Sequence, residues 1–164
     1  MEPIRITHNA DDVAARLRAA PDILVAEVEP AIYEASLLVE REVVEHTPTS
    51  GAGTLRDSIG ALPVTFDGEV IEGGVGTALA YALPVEEGSR PHMPPAEPIM
   101  DWVRRRLGVT PDEVDDVAEK IRWKIARYGT PARHMFRDGF EAASAQAREI
   151  IAAGVARALA RIGG

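Results

Sequence analysis

The sequence predicts an α+β protein: a small antiparallel β-sheet, made of a hairpin plus a third strand, packed against long α-helices, with a two-helix insertion over residues 94–128. Three observations predict it. Apolar residues recur at steps of three and four from Leu24 to Val43, the spacing of a long amphipathic helix. Two alternating, β-rich segments flank Asp67-Gly68, a strong hairpin signal. A second, alanine-rich helical pattern closes the chain. With 164 residues, the whole span 1–164 fits a single domain with a substantial core.

The elements follow in order. Ile4-Arg5-Ile6-Thr7 is expected to form a short strand or an ordered arm. Asn9 then caps a brief helix, Ala10 to Ala19, with Asp11 and Asp12 in the first turn, where the helix dipole favours acids. Pro21 is expected to break this helix and open the next, which carries Leu24, Val28, Ala31, Ala35, Leu38, Val39 and Val43 to about His46. Pro30 should kink it or divide it. A glycine-punctuated turn, Thr47 to Thr54, leads through Leu55-Arg56-Asp57-Ser58-Ile59 into the hairpin.

Its strands are expected at Ser58–Phe66 and Glu69–Val75, with Pro63 marking an edge or a bulge. Gly73, Gly74 and Gly76 suggest a bulge or a close backbone approach; strand-like sequence follows them, where a phosphate loop would need a helix. Tyr81 to Glu86 is assigned as the third strand. Arg90 to Pro95 is a stiff, extended connector.

Pro98 falls in the first turn of a helix with Ile99, Trp102, Val103 and Leu107 on one face, ending at Gly108. Thr110-Pro111-Asp112-Glu113 has the form of a capping box. It opens a helix whose buried stripe is expected to be Val114, Val117, Ile121, Ile125 and Tyr128, ending at Gly129. The last helix runs from about Ala132 towards Ile162, with Phe136, Phe140, Ala143, Ala147, Ile150, Ile151 and Leu159 as its apolar face.

Composition narrows the chemistry. The chain has no cysteine, which excludes disulfides, thiolate metal sites and cysteine nucleophiles. The four histidines, His8, His46, His92 and His134, stand in separate segments with no paired ligand spacing, so no metal site is expected. Glu86 and Glu87, as neighbours on a strand, would point to opposite faces and could not share one bond. Ser58 lacks the strand-turn-helix setting of a hydrolase nucleophile. No catalytic, cofactor-binding or metal-binding residue is therefore assigned, and no enzyme activity is expected. The start, Met1-Glu2-Pro3-Ile4, does not resemble a secretory signal, and no apolar run approaches bilayer-spanning length, so no membrane partner is expected.

The formal net charge of -8 opposes a general phosphate-binding surface. Charge is nevertheless segregated. Glu27 to Glu45 holds six glutamates and one arginine, and Lys120 to Arg137 holds six basic residues and no acid. These are two solvated faces, or they help like subunits meet head to tail. Arg104-Arg105-Arg106 and the Lys120 to Arg137 cluster, with Trp102 and Trp123 nearby, are the candidates for nucleic-acid contact. Core packing of both tryptophans is the reading their helical stripes favour.

Taken in order, the long helix, Pro48, Gly53, Leu55-Arg56, Ser58-Ile59, then Tyr81-Ala82, Glu86 and Gly88, then Arg133 and Phe136 at the entry to the last helix, form a recognisable series. The chain resembles the neck or tail-completion proteins of long-tailed bacteriophages, a tail-component family, over roughly residues 20 to 155. It departs from the family pattern in the loosened turn Thr49 to Thr54 and in the helices of residues 94–128. The resemblance implies a virion protein, made in the host bacterial cytoplasm, that assembles as a homo-oligomeric ring at the head–tail junction. Its partners would be neighbouring connector or stopper and tail proteins, with DNA passing through the channel without sequence-specific binding and no cofactor. A tail terminator, and more distantly a small nucleic-acid-binding protein, are the alternatives. Arg56, Ser58, Tyr81, Glu86, Arg133 and Phe136 are the expected assembly residues, with Arg56 and Glu86 paired within or between subunits. The loop from Thr47 to Thr54 and the connector from Ser89 to Pro95 are the expected subunit contacts.

Overall fold

The computed structural model describes residues 10–48 and 53–163. The expected arm at Ile4 to Thr7, the Asn9 cap and the turn residues 49–52 lie outside the described residues.

Helix α1 runs unbroken from Ala10–His46, 37 residues, or about 55 Å at 1.5 Å per residue. The expected break at Pro21 and division at Pro30 do not occur. Both prolines lie inside the helix and are exposed, so the carbonyls they leave without an amide partner, at Leu17 and Ala26, belong to exposed residues that water can reach. Tertiary packing then overrides the local penalty. That packing comes from α6, Met135–Gly163, which runs antiparallel to α1. Ala35, Leu38, Ala143 and Ala147 are buried between them.

The two helices approach very closely. A Cβ on Gly139 would lie 2.6 Å from the Val43 backbone, and one on Gly154 would lie 2.6 Å from the Ala31 Cβ. Only small residues fit such a seam, which corrects the expected apolar face of α6. Gly139, Ala143, Ala147, Gly154 and Ala158 are buried, whereas Phe140 and Leu159 stand exposed beside it. Towards the far end, Glu27 of α1 accepts hydrogen bonds from Arg157 at 3.2 Å and Arg161 at 2.6 Å. Its carboxyl is held below the usual glutamate range by the Arg161 and then the Arg157 hydrogen bond.

After α1 comes a short helix α2, Thr54–Ser58, in place of a direct entry into the hairpin. Strands β1, Gly60–Phe66, and β2, Ile71–Gly76, pair antiparallel. The register passes from Leu62↔Gly74 to Thr65↔Glu72, so β1 carries one extra residue beside Pro63, the bulge its proline predicted. The turn spans four residues. The Asp67 carboxylate accepts the backbone N–H groups of Val70 at 2.8 Å and Glu69 at 2.9 Å, and Gly68 takes a φ of 104°. The hairpin lies against α1, and Gly73 is where it comes closest: an added Cβ would meet Ile32 at 2.5 Å and Ser36 at 3.0 Å.

The third strand is corrected. Residues Ala82–Glu87 form a helix, α3, and among the described residues the sheet has two strands. Pro84 explains the choice: in the first helical turn its missing N–H costs nothing, whereas in a ladder it would remove a bond. Helices α4, Ala96–Arg106, and α5, Val114–Tyr128, pack principally on each other through Val103, Val114 and Ala118, with Trp102 half-buried against them. Thr110 and Glu113 form the expected capping box, but Pro111–Glu113 is a 3-10 turn that precedes α5. The Glu113 carboxylate accepts the Thr110 hydroxyl and N–H, which lower its pKa. Trp123 and Tyr128, expected on the buried side, are 65% and 68% exposed.

Candidate functional site

The three motif segments, distant in sequence, meet at one joint. Leu55 of α2, Ala82 of α3 and Met135 of α6 form a buried cluster, with Leu79, Val85 and Phe136 packed against it. Met135 is fully buried, a burial worth about 1.5–3 kcal/mol. It is the anchor that the motif pattern missed. Phe136, expected on the apolar face of the last helix, is only half-buried. An apolar residue one place before the aromatic was the available signal.

Each polar motif residue acts locally in this joint. Arg56 donates from Nε to the Val44 carbonyl at 3.0 Å, tying α2 to the last turns of α1. Ser58 donates to the Leu55 carbonyl at 2.8 Å and lies 2.7 Å from the Thr77 hydroxyl. The Thr77 hydroxyl in turn accepts the Leu79 N–H. Ser58 thus fastens the exit of α2 to the segment leading to α3.

Glu86 organises the start of α6. Its carbonyl accepts the His134 N–H at 3.0 Å. Its carboxylate accepts the Phe136 N–H at 2.8 Å and the Arg137 N–H at 3.1 Å. These are amides that a helix start leaves without partners, and a carboxylate there also complements the helix dipole. The preceding residue, His134, has a φ of 51°. That non-glycine conformation is held from both sides, by Glu86 and by the Asp138 N–H bonding the His134 carbonyl at 2.8 Å. The intramolecular Arg56–Glu86 pair is not formed, because each residue has these other partners.

Behind the joint, Ser89 and Thr130 form an isolated antiparallel bridge with reciprocal backbone bonds of 3.0 and 3.1 Å. Arg133 enters through its backbone, donating to the Val85 carbonyl at 2.9 Å, and its side chain is exposed. Tyr81 is 45% exposed and Leu83 62% exposed, both at the outer side of α3. An open apolar groove of about 710 Å³ runs from Glu86 and Phe136 along α1, bounded by β2 and α6. Ile32, Val39 and Phe140 are among its walls.

The site therefore consists of caps, a hydrophobic cluster and the exposed residues Tyr81, Leu83 and Arg133. Among the described residues no group of three or more His, Asp or Glu side chains is placed to hold a metal ion, and no helix is long and apolar enough to cross a membrane. No curated protein and no solved structure gives a match to the chain. A family model does match, described as "HK97-gp10_like: Bacteriophage HK97-gp10, putative tail-component". It covers residues 11–88, which carry α1, α2, the hairpin and α3, and so two of the three segments that build the joint. By that match, residues 11–88 of this chain are similar to the HK97-gp10-like tail-component family of bacteriophages.

Proposed function

We propose that the chain is a structural, non-enzymatic virion protein at the phage head–tail junction. It forms a ring with itself around the DNA channel and joins the head connector to the tail. The convergence of the Leu55–Ile59, Ala82–Gly88 and Met135–Arg137 segments on one joint carries this reading. The residues of the tail-component motif are spent on fixing the relative placement of α1, the hairpin and α6, as a subunit of defined shape requires, and none is arranged for bond-making chemistry.

Arg56, Ser58, Glu86 and Phe136 set the joint's shape. Tyr81 and Arg133, exposed upon it, are the contacts we assign to the neighbouring connector, stopper and tail proteins. The overall charge of -8 suits a channel wall that lets DNA pass without holding it.

The test is a phage carrying a stop codon early in this gene, examined by electron microscopy. Separate filled heads and finished tails of normal length are expected, with joining restored by adding the purified protein. Tails of irregular length would indicate a terminator, and joined, infectious particles would overturn both assignments.

A further inference from the structure

Among the described residues, two exposed helix faces remain without partners within the subunit, and they match each other. On α1, Glu29, Tyr33, Glu34 and Leu37 lie at helical spacing on the side away from α6 and the hairpin; all are exposed, Tyr33 at 47% and Leu37 at 44%. On α5, Lys120, Trp123, Lys124, Arg127 and Tyr128 form one exposed stripe. Each stripe spans nine residues, or about 12 Å of helix. One is acidic with an apolar centre and the other basic with an aromatic centre.

The charges are available for contact. Among the described residues neither Glu29, Glu34, Lys120 nor Lys124 is engaged by another side chain, whereas the neighbouring Glu119 is taken up by Arg122. Arg127 lies over the Tyr128 ring, 5.4 Å from its centroid, which presents the aromatic and the cation together. Tryptophan and tyrosine exposed to this degree, beside lysine and arginine, have the composition of an interface centre.

We propose that the α5 stripe of one subunit docks on the α1 stripe of a second copy of this chain. The contact is head to tail, since the two surfaces differ. Each linked pair keeps one free face of each kind, and repetition closes into a ring or extends. Only the closure rests on the ring reading above. Duplex DNA is the competing occupant of the basic stripe. The acidic stripe of equal length on the same chain, and the net charge of -8, favour the second copy.

The absence of cysteine makes the test clean. The full-length double variant L37C/W123C, oxidised at high protein concentration, is expected to give a ladder of disulfide-linked species on non-reducing gels. A control pairing W123C with A152C, on the exposed face of α6, should give none. Adding K120E/K124E should abolish the ladder, and adding E29K/E34K as well should restore it with the charges exchanged.

Linking no stronger than the control overturns the contact. Retardation of duplex DNA by the cysteine-free protein, lost in K120E/K124E and unaccompanied by linking, assigns the stripe to nucleic acid instead. A product that stops at the linked dimer supports the contact while overturning the ring.

Discussion

Glu86 supplies three hydrogen-bond acceptors to the start of a helix about fifty residues away, and its shortest bond, 2.8 Å, is to the backbone N–H of Phe136. One side chain thereby substitutes for the Ser, Thr or Asp that usually caps a helix, a place occupied here by His134 in a left-handed conformation.

Removing that side chain should loosen the joint. Glu86→Ala is expected to lower folding stability by about 0.5–2 kcal/mol, the range for loss of an N-cap. Glu86→Gln, which keeps one acceptor oxygen, should lose less. Urea denaturation of the two variants measures the difference, and equal losses would show that the carboxylate does not cap α6.

The seam between α1 and α6 should reject even one methyl group. At Gly139 the added Cβ would face the Val43 backbone at 2.6 Å, which cannot rotate away as a side chain can. Gly139→Ala is expected to destabilise by about 1–3 kcal/mol, as overpacked sites do, despite alanine's better helix propensity. An increase in Tm would contradict so close an approach.

Gly129 is stricter still. It has a φ of 71°, and its Cβ would fall on the Ser89 carbonyl within the Ser89–Thr130 bridge. Gly129→Ala should disrupt the bridge that brings the end of α5 back towards α6. Hydrogen exchange at the Ser89 and Thr130 amides should rise sharply; unchanged protection would rule this out.

Stability should fall in acid through the Glu27 contacts. Because Arg161 and Arg157 lower its folded pKa, the unfolded chain takes up the proton first. The contribution is therefore complete above the ordinary glutamate pKa and is lost as pH falls through the lowered folded value. Glu27→Gln should flatten the stability–pH curve in that window and leave it unchanged near neutrality in shape. A curve identical to the parent's would show that the two arginines hold Glu27 too weakly to matter.

The prolines of α1 give the opposite sign. Pro30 is exposed and interior to the helix, so Pro30→Ala should raise Tm by restoring a backbone bond and a better helix former. A fall would mean that the proline bends α1 into its fit with α6.

Much of the fold was legible from local chemistry. The period of α1, the Asp67-Gly68 turn, the Pro63 bulge, the Thr110 capping box and the glycine stop at Gly129 each depend on a few adjacent residues, and each stands where the sequence indicated. The motif residues from Pro48 to Gly88 fall within the span that matches the phage tail-component model. Tertiary contacts decided the rest. Only the close seam with α6 shows why α1 passes two prolines unbroken and why Phe140 and Leu159 are pushed outside. Only the joint shows that Glu86 caps α6 and that Met135, rather than Phe136, fills the cluster. The physical reason is range: caps, turns and helical periods are set within a turn or two of the chain, whereas burial and partner choice depend on surfaces brought together from fifty or a hundred residues apart.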